Sequence, residues 1–274
     1  MIEMSKAIIL GILQGITEWL PISSTGHLLL VDELMQLNVF EDAAMNTSFV
    51  NMFMVVIQFG SILAVCLLYF HKLNPFSRIK SPAEKQDTLN LWGKVIIGII
   101  PAGVAGILLD DTIDVYLHGP VVIAIMLIAY GVLFIVIENQ KRTAYIRSFD
   151  QLSWKTALAI GCFQALALIP GTSRSGATIL GAVLLGTSRT VAAEFSFFLA
   201  VPVMAGASLL KIIKMNVTMN ALAWGTLCTG VFVSFIVSVI AIRFLMDYIR
   251  RNDFKAFGVY RIILGIIVLL TVFL

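Results

Sequence analysis

The chain is patterned as long apolar runs separated by short polar turns. Runs at 49–70, 95–109, 121–137, 192–213, 222–245 and 256–274 each approach the roughly 20 residues a helix needs to cross hydrocarbon. Two further apolar stretches are too short. One covers 5–20 and is stopped by Pro21, after which Ser23, Ser24 and Thr25 cap a second short helix from about Gly26 to Gln36. The other covers 154–169, is stopped by Pro170 and Gly171, and resumes from about Gly176 to Leu185. The first of these short helices is roughly 24 Å long, less than the hydrocarbon thickness. Each pair therefore reads as a re-entrant helical hairpin with a polar tip at membrane depth. Non-helical backbone is tolerated there only inside protein or against a wet cavity.

The two hairpins resemble each other. At an offset of 150, Gly11 falls on Gly161, Gln14 on Gln164, Ser23 on Ser173, Gly26 on Gly176 and Leu30 on Leu180. A weaker echo at an offset of 146 relates Phe49 and Gly60 to Phe195 and Gly206. Three full spans separate the hairpins, so the second enters from the opposite face. That is an inverted-topology repeat, an arrangement that brings two loop tips together near the midplane. The expected architecture is all-α and polytopic: six transmembrane helices plus two re-entrant hairpins, in a single domain over 1–274 with halves at about 1–137 and 151–274.

Composition agrees with a membrane protein. The chain is 59% hydrophobic and only 13% charged, against about a quarter charged for a soluble domain. Residues 1–20 have the look of a signal peptide, but no small-x-small cleavage site follows them. Cys66, Cys162 and Cys228 lie in apolar stretches at unrelated spacings and read as buried free thiols. The position of the charges matters more than their sum. Loops 71–90, 138–155, 187–191 and 243–255 carry thirteen Lys and Arg, whereas the other face has Lys6, Lys211 and Lys214 with Asp32, Glu33, Glu41, Asp42, Asp110, Asp111 and Asp114. By the positive-inside rule the basic face is cytoplasmic. Both termini then lie outside, and the first hairpin opens toward the exterior.

Polar residues at the tips carry the candidate chemistry. Gln14 and Glu18 are four apart and share a helix face. A carboxylate so deep is costly unless it has a task, either binding a divalent cation or carrying a proton; an interfacial or protonated glutamate is the bland alternative. His27 follows the hydroxyls of Ser23, Ser24 and Thr25. It can act as a base or attack phosphorus itself, and the sequence does not choose. In the second hairpin, Arg174 stands among Thr172, Ser173, Ser175 and Thr178 directly before a helix N-terminus, the place for an oxyanion. The structural alternative is an arginine bridging broken-helix carbonyls. Glu194 reads equally as a functional or a plain helix-start carboxylate, and Arg261 as a snorkelling residue. Zinc-type ligand spacing and a P-loop are both absent.

At these motifs the chain resembles the undecaprenyl-diphosphate phosphatase, or bacitracin-resistance, family. The (E/Q)-x-x-x-E and P-x-S-S-T-G-H stretches stand here as Gln14…Glu18 and Pro21…His27, and P-G-x-S-R-S-x-x-T as Pro170…Thr178. Glu194 to Phe197 and Ala200 to Met204 also match, and the likeness covers essentially the whole chain. The resemblance implies hydrolysis of undecaprenyl diphosphate at the bacterial cell membrane, recycling of the carrier for peptidoglycan synthesis, and resistance to bacitracin. It implies a divalent cation, Mg2+ or Ca2+, with Glu18 and Gln14 serving the metal or the diphosphate. Ser24 and His27 would be nucleophile and base, in either order. Arg174, with Ser173, Ser175, Gly176 and Thr178, would hold the phosphates alongside Ser23, Thr25 and Gly26. Gln14 supplies one charge fewer than a glutamate, so a metal would lean more on substrate oxygens. The expected partners are a polyprenyl diphosphate lipid and the bilayer, with a homodimer compatible and no nucleic acid. From another class, a polyprenyl-phosphate flippase or other secondary transporter fits an inverted repeat with a midplane anion site.

Overall fold

The computed structural model describes residues 2–24, 26–28, 31, 35–117, 119–214 and 218–273. The sequence readings at Thr25, Leu30, Asp32 and Glu33, and those that rest on the Asp110, Asp111, Asp114 and Lys214 side chains, fall outside the described residues. Every named element is helical: α1 (Ile2–Thr17), α2 (Ala43–Leu68), α3 (Phe70–Leu73), α4 (Pro82–Leu117), α5 (Pro120–Asn139), α6 (Trp154–Ala165), α7 (Arg174–Leu184), α8 (Arg189–Lys214), α9 (Ala221–Arg251) and α10 (Lys255–Phe273), with a 3-10 turn at Leu166–Leu168. Six of them, α2, α4, α5, α8, α9 and α10, are long and apolar enough to cross a membrane. Large apolar side chains on their outer faces, such as Ile107, Phe232 and Ile240, are exposed, as they are where lipid takes the place of water. This is a multi-pass membrane protein.

The spans begin earlier than the apolar runs because polar residues cap them. At α4, the Ser81 hydroxyl accepts from Glu84 N at 3.3 Å and the Glu84 carboxylate accepts from Ser81 N at 2.7 Å, a reciprocal capping box with Pro82 at the first helical position. Asp42, Ser153 and Asn220 cap α2, α6 and α9 from one side only, each accepting from a backbone N–H three residues on. Pro101 and Pro202 lie inside α4 and α8.

Glycines set the helix pairs. A Cβ at Gly11 would lie 2.8 Å from the Gly230 carbonyl, and one at Gly161 only 2.2 Å from the Gly98 carbonyl. So α1 lies against α9, and α6 against α4. α2 packs on α8 and α9, and α5 on α10, the latter pair meeting where Gly131 and Gly258 each leave room for the other's carbonyl. Behind α1, Ser61 and Ser234 share a hydrogen bond of 2.8 Å, and Ser238 donates to the Gly15 carbonyl at 3.3 Å.

The basic loops converge on one face. Arg189 forms a bidentate pair with Glu138, which also accepts from Phe254 N at 3.1 Å. Lys72 pairs with Glu194, Lys94 donates to the Phe149 carbonyl, and Ile146 bridges to Thr187. A cavity of about 700 Å³ opens here, lined by Lys72, Lys80, Phe149 and Glu194 and by none of the tip residues. The cysteines are free, but the burial expected of them does not hold. Cys162 and Cys228 are exposed on the outer faces of α6 and α9, where apolar neighbours in sequence do not mean protein neighbours in space.

Candidate active site

Both tips turn through unusual backbone. Ser23 has φ +73° and Ser173 φ +68°, two non-glycine residues in the left-handed half of the map and 150 positions apart. Such conformations cost on the order of 1–3 kcal/mol each and persist only where surrounding contacts fix them. At the second tip the Ser173 hydroxyl accepts from Gly176 N at 3.2 Å, capping α7. Gly171 has φ +89°, and a Cβ there would lie 2.5 Å from the Ile123 carbonyl, so no other residue fits without moving α5.

The tips touch. Arg174 Nη2 lies 3.0 Å from Glu18 Oε1, and Gln14 Nε2 donates to Glu18 Oε2 at 2.9 Å. The other arm of Arg174 donates to the Ser196 carbonyl at 2.8 Å, and its guanidinium stands 5.6 Å over the buried Trp19 ring. Ser175 Oγ reaches the Leu20 carbonyl at 3.4 Å, from one tip to the other. Thr178 donates to the Arg174 carbonyl at 2.8 Å and shares a 2.6 Å bond with Ser196 Oγ. The hydroxyls of Ser173, Ser175 and Thr178 are therefore occupied with protein partners. Gly26 is buried against Leu127 and Leu264.

Arg261 is the residue that sequence reading misplaced. A snorkelling side chain ends in water; this one is fully buried, with 0% exposure. Its Nη1 donates to the Pro21 carbonyl at 3.3 Å, and its Nη2 to the Gly171 and Thr172 carbonyls at 2.9 Å each. It ties both tips through their backbone. The missing side chain of Gly176 makes the room, since a Cβ there would lie 2.8 Å from Arg261 Nη1. Bridging of broken-helix carbonyls, weighed in the sequence for Arg174, is thus performed by Arg261. An arginine inside an apolar run was the available signal. Trp19 and Tyr260 carried none, and Ser196 only its place in the Glu194–Phe197 stretch.

His27 is 9% exposed and uses both ring nitrogens: Nδ1 lies 2.7 Å from the Ser23 carbonyl and Nε2 2.7 Å from Tyr260 Oη. Ser24 is partly buried, and among the described residues neither His27 nitrogen is bonded to it. Glu194 stays with Lys72 on the basic face, away from the tips. Among the described residues, buried polar atoms without a hydrogen-bond partner gather at and beside the tips: Gln14 Oε1, Trp19 Nε1, Ser23 Oγ, both amide atoms of Gln164, Thr172 Oγ1 and Arg174 Nε. Buried polar groups are normally satisfied, so open valences gathered at one place mark where a polar ligand would bind.

Residues 7–267 match the family model of the bacitracin resistance protein BacA. The chain belongs to the BacA family. It is 55% identical to undecaprenyl-diphosphatase 1 of Clostridioides difficile over 100% of this chain and 98% of that protein. It is 57% identical to the undecaprenyl-diphosphatases of Enterococcus faecalis and Limosilactobacillus fermentum, over 98% of this chain and 97% of each relative. In this BacA-family chain, among the described residues, no three His, Cys, Asp or Glu converge as a metal cage. The donors at the first tip are one carboxylate, Glu18, and the unpartnered Gln14 Oε1. That set fits a magnesium-like ion whose remaining ligands are phosphate oxygens and water.

Proposed function

We propose that the protein hydrolyses undecaprenyl diphosphate to undecaprenyl phosphate and inorganic phosphate, returning the lipid carrier to envelope synthesis and conferring bacitracin resistance. The observation that carries this reading is the joint of the two tips. Glu18, Arg174 and Arg261 bring one negative and two positive side chains together in a buried, glycine-lined place with unfilled polar valences. The net positive charge suits an anion, and burial strengthens every interaction with it.

Arg174 holds the terminal phosphate. Its free Nε and the arm now on Glu18 turn to phosphate oxygens, which the planar fork can hold in bidentate fashion. Either water, giving its proton to His27, attacks phosphorus directly, or Ser24 or His27 attacks it and water then cleaves the phosphoenzyme to release inorganic phosphate. The bond to the bridging oxygen breaks, and undecaprenyl phosphate leaves with the negative charge. Ser23 Oγ and Thr172 Oγ1 are free to donate to the same oxygens. Glu18 and Gln14 would hold the divalent cation, Mg2+ or Ca2+. Bound there, it would neutralise charge developing on the leaving group.

The membrane arrangement belongs to the same reading. The short α1, α6 and α7 are re-entrant, and the halves form an inverted repeat. Its support is the reciprocal packing of α1 on α9 and α6 on α4, the self-paired α5 and α10, and the matching positive φ at Ser23 and Ser173. With the basic face cytoplasmic, the termini and the mouth of the site face outward across the plasma membrane.

The test is phosphate release from undecaprenyl diphosphate by purified protein in detergent, where no second compartment exists. Release by the wild type, and its loss in Arg174→Ala and His27→Ala, is the expected result. A folded wild-type protein that binds the lipid but releases no phosphate would leave transport as its function.

A further inference from the structure

Among the described residues no carboxylate orients His27, although a catalytic imidazole commonly leans on one. Its partners here are a backbone carbonyl and a phenol. The Ser23 carbonyl only accepts, so the 2.7 Å contact fixes the proton on Nδ1. In the neutral ring Nε2 is then a lone pair, and the Tyr260 hydroxyl 2.7 Å away is its donor. The two ring planes are nearly parallel, 8° apart, with centroids 5.5 Å from each other. Tyr260 is 44% exposed while His27 is 9% exposed, so the imidazole is the more buried of the pair. The next residue is Arg261, which ties both tips. One turn of α10 therefore holds the backbone of the site and its imidazole together.

We propose that Tyr260 is a positioning residue for the hydrolysis: the Ser23 carbonyl sets the Nδ1–H tautomer of His27, and the Tyr260 hydroxyl, donating to the Nε2 lone pair, holds the ring in place until substrate takes that position. The proposal rests on the phosphatase reading for its kinetic consequence but not for its structural one. The substitution Tyr260→Phe keeps the ring and its packing and removes only the hydroxyl.

Nitrogen-15 spectra of histidine-labelled protein in detergent, with His27 assigned by its loss in His27→Asn, read the pair without any substrate. The wild type shows a protonated Nδ1 and a hydrogen-bonded Nε2 lone pair. In Tyr260→Phe the Nε2 signal moves to that of a lone pair with no donor, while Nδ1–H stays. In turnover of undecaprenyl diphosphate the same variant loses about tenfold to a hundredfold in kcat, the cost of a misdirected catalytic group. KM and the unfolding temperature are unchanged. An Nε2–H tautomer in the wild type, a His27 spectrum indifferent to the substitution, or a kcat equal to wild type overturns the proposal. Were the wild type to release no phosphate, the hydrolytic reading would fail while the spectra still decide the pair.

Discussion

Arg174 and Arg261 divide two tasks that one guanidinium cannot perform at once. Arg174 has a free Nε and an ion pair that a phosphate can replace, so it is available to a ligand. Arg261 spends its donors on the carbonyls of Pro21, Gly171 and Thr172 and is not. Arg174→Ala is expected to lower phosphate release by at least about a hundredfold, the scale of losing one preorganised charge at the transition state. Arg174→Lys should not restore it, because an ammonium lacks the fork; steady-state kinetics on both variants checks this. Arg261→Met leaves buried carbonyls of both tips without donors. It is expected to cost on the order of 3 kcal/mol of stability, read as a fall in unfolding temperature in detergent. The polar motif residues were legible because charged and hydroxyl groups inside hydrocarbon are rare and stand out. Tyr260 was not, since a lone tyrosine near the end of a span is ordinary, and Ser196 was visible only as part of the Glu194–Phe197 match, because tertiary contact alone gives each its partner. Arg261 was visible but misread: sequence reports its depth along the helix and not the face it occupies.

At the scale of elements, close helix contacts depend on a few glycines and are indifferent to others. Gly131→Ala and Gly161→Ala place a methyl against backbone at 2.6 Å and 2.2 Å, so the helices must part. Each is expected to destabilise by about 2 kcal/mol or more, as overpacking does. Gly103→Ala and Gly206→Ala meet nothing within 4 Å and should raise stability by up to about 1 kcal/mol through helix propensity alone. Thermal unfolding of the four variants in one detergent separates the classes. Hydropathy located the six spans, but their ends were set by caps such as Ser81–Glu84, which lie outside the apolar windows. The 3-10 turn at Leu166–Leu168 shortened α6 for a related reason: Pro170 disfavours helical backbone before it.

Across the whole molecule, the loops that carry the basic residues are gathered by Glu138–Arg189, Lys72–Glu194 and Lys94 to Phe149 on one face. In a cysteine-free background, single cysteines placed in loop 71–90 are expected to react with an impermeant maleimide only when the cytoplasmic side is open. Labelling in intact cells would reverse the orientation and turn the mouth of the site inward. The two tips touch in the midst of these spans, and everything proposed about catalysis depends on an anion binding there. A structure of the protein with a non-hydrolysable undecaprenyl diphosphate analogue tests that most directly. Its terminal phosphate is expected within hydrogen-bond distance of Arg174, with the Glu18 pair opened and Ser24 or His27 in line with phosphorus. Diphosphate density seated instead in the Lys72–Lys80 cavity, with the Glu18–Arg174 pair intact, would contradict the account.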